Sequence, residues 1–325
     1  MKAIRIALVA LCLLAIPAVI QAQNPVEGDT TIVFPGSQVV LLFDGAFVTE
    51  GPAVAPDGTV YFSDVTPTAS TGMEAGHIWR YDSATGIAKI FRSPSGMSNG
   101  IIFDDQGRMI VAEGADFGGR RVTRTDLKTG RSTIVTGLYQ EKAFNAPNDL
   151  ALDEQGRIYF TDPRYFGHEP VEQPVEGVYR IDPDGSVSLL VPEIDKPNGI
   201  LVSPDQRTLY VAALGGTDQA IFAFDLDPEG SVSDGMTLLD FSPGPGPDGM
   251  AVDLDGNIYA ARRAQPMGIY VYSPEGQQLA LIPTLEQPRN VTFGRGPTSR
   301  TLFITAGRSL YKIDVKREGY HAAHW

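Results

Sequence analysis

The sequence predicts an all-β chain folded as a six-bladed β-propeller, on three observations. The first is a repeated module, clearest in FNAPNDLALDEQGRIYFTDPRY from Phe144 to Tyr165. It runs as a polar corner, a strand pattern, an acidic-glycine turn, a second strand pattern and an acidic exit. Further copies begin at Glu50 (EGPAVAPDGTVYFSD), Ser98, Pro197, Pro247 and Pro288. The second observation is register: aligned on the corner, Glu50, Asn99, Asn148, Asn198, Asp248 and Asn290 lie 49, 49, 50, 50 and 42 residues apart. A fixed period of that size indicates a solenoid, an array or a propeller. The third is strand content. Each unit has short strand patterns joined by Pro-Asp-Gly or Asp-x-x-Gly turns, whose glycine supplies the positive φ of a tight hairpin. Radially repeated four-stranded antiparallel units are propeller blades. No long stretch shows helical spacing.

Taken in order, residues 1–22 are set apart from the fold. Lys2 and Arg5 precede an apolar run from Ile6 to Ile20, and Gln21-Ala22 ends it before a polar segment. This is the pattern of a secretory signal peptide cleaved after Ala22; the run is short for a membrane anchor, and Cys12 lies in no lipobox. Beyond it the chain has no cysteine, which excludes disulfides, thiolate ligands and a cysteine nucleophile. A periplasmic or secreted location is expected.

Residues 23–37 read as an N-terminal extension, 38–318 as the propeller and 319–325 as a polar tail. In unit one the strand candidates are Pro52–Ala55, Val60–Ser63, His77–Tyr81 and Ala88–Arg92. Units two to five each follow with four, as in RMIVAE, RIYFTD, TLYVAA and NIYAAR for their second strands. Unit six has only three. Its missing outer strand is assigned to QVVLLFD, Gln38 to Asp44, so that the N-terminal strand closes the ring and removes the exposed edges. The strand aromatics and Trp79 are expected in the core. Without Lys2 and Arg5, 24 basic residues face 39 acidic ones, a balance that argues against a nucleic-acid surface.

Radial symmetry has a chemical consequence. Inner strands begin at the same end of the channel, so the six corner residues should ring one mouth. Two carboxylates and four amides make an oxygen-rich set that suits calcium, with magnesium or another divalent ion such as zinc as the alternative. Asn and Asp also serve as turn formers, but Glu50 does not fit that role. The four histidines offer no triad, and G-x-S-x-G is missing; His168 is placed where it could overhang the channel. Glu113, Asp162 and Arg262 stand at second-strand exits near the same mouth, Asp162 foremost among them.

The corners EGP, PND, PNG and PDGM, with YFTDP-like strands between them, resemble the gluconolactonase/regucalcin (senescence marker protein) family over nearly the whole chain past residue 22. The resemblance implies one divalent ion, usually calcium, at the top of a six-bladed propeller. It matches metal ligands to Glu50, Asn148, Asn198 and Asp248. It leaves Asn99 and Asn148 as substrate-binding candidates, joined by Asp162 from its strand-exit position, and Asn290 divided between turn and pocket. It also implies a calcium-dependent lactonase acting on a sugar lactone, with Asp248 as general base or nucleophile. A phosphotriesterase or arylesterase on the same ion, or a binding propeller with a structural ion, are the alternatives. The chain departs from the family pattern at VAALGGTDQ in unit four and around Lys142 before PND.

Overall fold

The computed structural model describes residues 24–73 and 75–323. The signal-peptide reading of residues 1–22 lies outside them, as do His324 and Trp325. Six antiparallel sheets radiate from one axis. Blade one comprises Thr49–Val54, Val60–Asp64, His77–Asp82 and Ile87–Arg92, from the axis outward. Blade two comprises Ser98–Phe103, Met109–Glu113, Arg121–Thr125 and Ser132–Thr136. Blade three starts with the short inner strand Leu150–Leu152 and continues through Ile158–Asp162, Gly177–Ile181 and Val187–Val191. Inner strands Pro197–Val202, Pro247–Val252 and Pro288–Phe293 begin blades four, five and six.

The ring closes as expected. Val40–Phe43 pairs antiparallel with Ser309–Asp314 and completes blade six. Thr49 fastens blade one to it by donating its backbone N–H to Gly307 (2.9 Å) and its hydroxyl to the Ser309 carbonyl (2.9 Å).

Burial follows the radius, because each blade's middle is sandwiched between its neighbours. The second strands Val60–Asp64, Met109–Glu113 and Ile158–Asp162 are buried at every position. The outer strand Ser132–Thr136 is largely exposed. Wedges between blades are filled by aromatics: Phe144 meets Phe160 and Tyr179 edge-on at 5.1 and 5.2 Å. Each such buried ring stabilises the fold by roughly 1.5–3 kcal/mol relative to exposure. Trp79 packs on Phe43 at 4.7 Å and donates its indole N–H to Asp64.

Both terminal segments belong to the propeller more closely than the sequence suggests. In the extension, Glu27–Gly28 adds a fifth strand to blade five, and Val26, Ile32 and Val33 are buried against blades five and six. The segment read as a polar tail lies across the far end of the channel. Tyr320 donates its N–H to Val252, Arg295 donates to the Ala323 carbonyl at 2.8 Å, and Ala323 is buried. Small apolar residues at its tip allow that seat.

Candidate active site

Each inner strand starts with an irregularity that aims its corner side chain. In blade one Glu50 pairs with Ser63 but Ala53 pairs with Tyr61, so an extra residue bulges out. The same shift separates Ser98 from Ile101, Pro197 from Ile200 and Pro247 from Met250. A bulge re-aims a side chain and ends regular pairing, and at this rim it turns the corner residues toward the axis. Glycine after the corner lets the next blade approach. Gly51 has φ +39°, and a Cβ there would sit 2.0 Å from the Asn99 carbonyl oxygen. Ser63 and Thr161 then latch neighbours together, donating to the carbonyls of Asn99 and Asn198 at 2.7 Å each.

Glu50, Asn99, Asn148, Asn198 and Asp248 all line one cavity of about 730 Å³, together with Lys196, Arg263 and Arg289. Asp248 is 2% exposed and forms ion pairs with Arg263 and, at 3.7 Å, with Arg289. Glu50 is buried beside it. Burial first, and then the Asp248 charge, push the Glu50 carboxyl well above the ordinary carboxylate range, while Arg289 and Arg263 oppose the shift. Asn198 donates its amide to the Tyr165 hydroxyl at 2.9 Å, and Tyr165 donates to the Leu214 carbonyl at 3.0 Å. That chain fixes which way the Asn198 amide faces. Asn148 is held by its loop: Asp162 accepts the N–H groups of Asn145 and Ala146 at 2.8 Å each, and Arg120 binds the Phe144 carbonyl.

Several expected residues take other places. Asp162 does not reach the cavity; both its oxygens are used by the loop before Asn148, and it is fully buried. Asp64 plays the same part in blade one, accepting from Phe47 and Val48. Asn290 is not the sixth corner. Pro288 pairs with Ala306 and Asn290 with Thr305, so the bulged residue is Arg289. Asn290 sits one step inward, level with Gly249 and Asp149, and donates to Asp149 across the channel at 3.4 Å. Glu113 is consumed by Arg92, Arg121 and Thr123. Arg262 stacks over Phe241 and Tyr270, and its neighbour Arg263 enters the cavity instead. His168 is 58% exposed, pairs with Asp116 and does not line the cavity. Of the departures from the family pattern, Leu214, Gly215 and Gln219 border the cavity, whereas Lys142 lies in an exposed two-residue strand.

Tyr165, Arg263, Arg289 and Asp149 were missed by sequence reasoning. Asp149 carried a signal: it stands where four other modules have glycine. Its carboxyl is pushed up to about 7, chiefly by burial.

Among the described residues no cluster of three or more His, Cys, Asp or Glu could hold a metal. A metal at this mouth would therefore rely on amide oxygens beside two carboxylates, and the donors present fit that requirement. Beside these donors, the buried Oδ1 of Asn99 has no hydrogen-bond partner, an acceptor left open at the same mouth. Glu50 is a buried acid that an added cation would compensate. Such an oxygen set matches a hard cation.

Residues 48–308 match the SMP-30/Gluconolactonase/LRE-like region. A gluconolactonase of Zymomonas mobilis is 34% identical over 243 residues, covering 70% of this chain; the chain spans 65% of that protein's length. Pentonolactonase XacC of Haloferax volcanii is 28% identical over 265 residues, covering 79% of this chain and 80% of that one. The solved gluconolactonase of Xanthomonas campestris superimposes with a TM-score of 0.78 at 28% identity, covering 90% of this chain and 95% of the other. With the family region matched across all six blades, this chain belongs to the SMP-30/gluconolactonase/LRE-like family.

Proposed function

We propose that this protein is an exported hydrolase of a sugar lactone that works with a divalent cation, calcium foremost, held by Glu50, Asn148, Asn198 and Asp248. The observation that carries the proposal is the meeting of five corner residues, from five blades, on one cavity, two of them, Glu50 and Asp248, a buried carboxylate pair. The lactonase names of relatives in Zymomonas and Haloferax support the reaction class. When bound, the cation would polarise the lactone carbonyl and offset the charge that develops on its oxygen.

The chain's own residues account for the remainder. Asp248 takes a proton from the attacking water, or itself attacks the carbonyl carbon. Water adds across the acyl–oxygen bond, and the product is the open hydroxy acid. Asn99 and Asn148 orient the substrate with their amides. Tyr165 keeps Asn198 in one rotamer, and burial pushes its phenol far up, so it remains a neutral donor. A single turnover in labelled water separates the two roles of Asp248: label in the aspartate side chain marks it as nucleophile.

The test is hydrolysis of a lactone panel, followed by proton release, before and after chelation. Activity lost to the chelator and restored by calcium is the expected result. Activity indifferent to chelation overturns the metal assignment, and a protein that opens no lactone overturns the enzyme reading. Export is tested by N-terminal sequencing of the secreted protein, which should begin at Gln23.

A further inference from the structure

We propose that the lactone accepted here carries an anionic substituent, a carboxylate or a phosphate, bound by Arg263 and Arg289. The proposal rests on the lactonase reading above and narrows its substrate class. The charged residues on the cavity wall are Glu50, Asp248, Lys196, Arg263 and Arg289, so cations outnumber acids in a chain of net charge −13. A positive pocket inside an acidic protein focuses anions that the outer surface repels.

The three cations are not equivalent. Lys196 is engaged by Glu176 and by the Arg164 carbonyl. Arg263 and Arg289 instead converge on a single oxygen, Oδ2 of Asp248, and among the described residues neither forms a salt bridge with any other acid. Glu50 is the other acid that faces them, but only Asp248 pairs with them directly. If Asp248 and Glu50 both serve a cation, the arginines lose the counter-charge these two acids supply, while 27% and 24% of their side chains stay open to solvent.

Their placement is also specific. The second strand of blade five ends in Arg262 and then Arg263; the first is absorbed by the Phe241 and Tyr270 rings, and only the second turns inward. Arg289 is the bulged residue of blade six, at the position where every other blade puts Glu, Asn or Asp. The guanidinium fork matches the oxygens of a carboxylate or phosphate and holds them in a fixed orientation. A neutral sugar lactone offers hydroxyl and carbonyl oxygens as acceptors but no charge to balance the two guanidinium groups.

The experiment compares kcat/KM for gluconolactone, for glucarolactone with its free carboxylate, and for the phosphorylated gluconolactone. One anionic substrate should exceed the neutral one by about tenfold to a hundredfold, the range of a lost charged hydrogen bond, mainly through KM. The two anionic arms identify which substituent is meant. Arg289→Gln should reduce the anionic-to-neutral ratio about tenfold, and Arg289→Lys should restore part of it, with melting temperatures recorded for both. Equal or better turnover of the neutral lactone overturns the inference and leaves the lactonase reading intact. So does a ratio unmoved by Arg289→Gln. A protein that hydrolyses none of the three overturns the lactonase reading and this inference together.

Discussion

The two ends of the channel use the same side chains in opposite ways. At the far end, Asp153 accepts the N–H groups of Gln155 and Arg157 on one oxygen and binds the Arg157 guanidinium and Tyr159 hydroxyl with the other. Asp253 repeats this with Asp255, Asn257 and Tyr259. Every partner lies within six residues, so each turn satisfies its own carboxylate. At the mouth, Asp248 leans on Arg263 and Arg289 from other strands. Beside it, Glu50 is a buried acid held above its ordinary range. Asp153 and Asp253 are fully provided for by the fold, whereas Glu50 and Asp248 are the pair we propose is kept for a ligand.

The sharpest way to break that contrast is substitution at both ends. Asp248→Asn is expected to lower lactone kcat/KM by about a hundredfold or more, with a melting temperature close to that of the wild type. Retained activity would erase the distinction between the ends. Asp153→Ala should do the reverse. Removing one partner of a buried pair costs about 3–5 kcal/mol, read as a lower urea midpoint, while turnover per folded molecule is preserved.

Smaller effects sharpen the comparison. Gly51→Ala forces a Cβ against the Asn99 carbonyl, so overpacking should cost about 1–3 kcal/mol and reduce activity through displaced Glu50 and Asn99. A stable but slow variant would show that the mouth is tuned separately from the fold. A further test uses pH. Burial raises the Asp162 carboxyl from 3.8 to about 7 despite the N–H bonds from Asn145 and Ala146. The folded chain therefore binds this proton more tightly than the unfolded chain. Its stabilising contribution is complete below 3.8 and is lost as pH rises through about 7, with a slope of at most about 1.4 kcal/mol per pH unit. Melting temperature should fall across that window, and Asp162→Asn should flatten part of the fall. An unchanged profile would show that the loop before Asn148 is held by something other than this carboxyl.

The blades were legible because a repeat declares itself: corner, strand, turn and strand recur at nearly constant spacing, and the surplus strand before Glu50 had one place to go. The mouth was legible only in part. Glu50, Asn99, Asn148, Asn198 and Asp248 share a position that repeats, and the alignment brings them together. Asn290 was misplaced because an asparagine matches the other corners better than an arginine does, while the bulge that selects Arg289 depends on strand pairing. Arg262 and Arg263 are adjacent and chemically identical, and only packing against Phe241 decides which is absorbed. Asp162 sits at a strand exit that points to the mouth, yet the N–H groups of the preceding loop capture it first. Tyr165 lies beyond its module's last strand, where no periodicity governs the backbone.

Blade six joins a strand that starts at Val40 to one that ends at Asp314. In a chain made from its N-terminus, the first of these emerges early and waits for nearly the whole remainder to be synthesised. The cavity is bounded by Glu50 on blade one and Arg289 on blade six, which become neighbours only when blade six packs against blade one. A chain that stops before blade six therefore cannot possess the site. A contact so distant in sequence also makes closure the slow, entropically costly step of folding. Birth order thus delays any chemistry at this mouth until the last blade has been made.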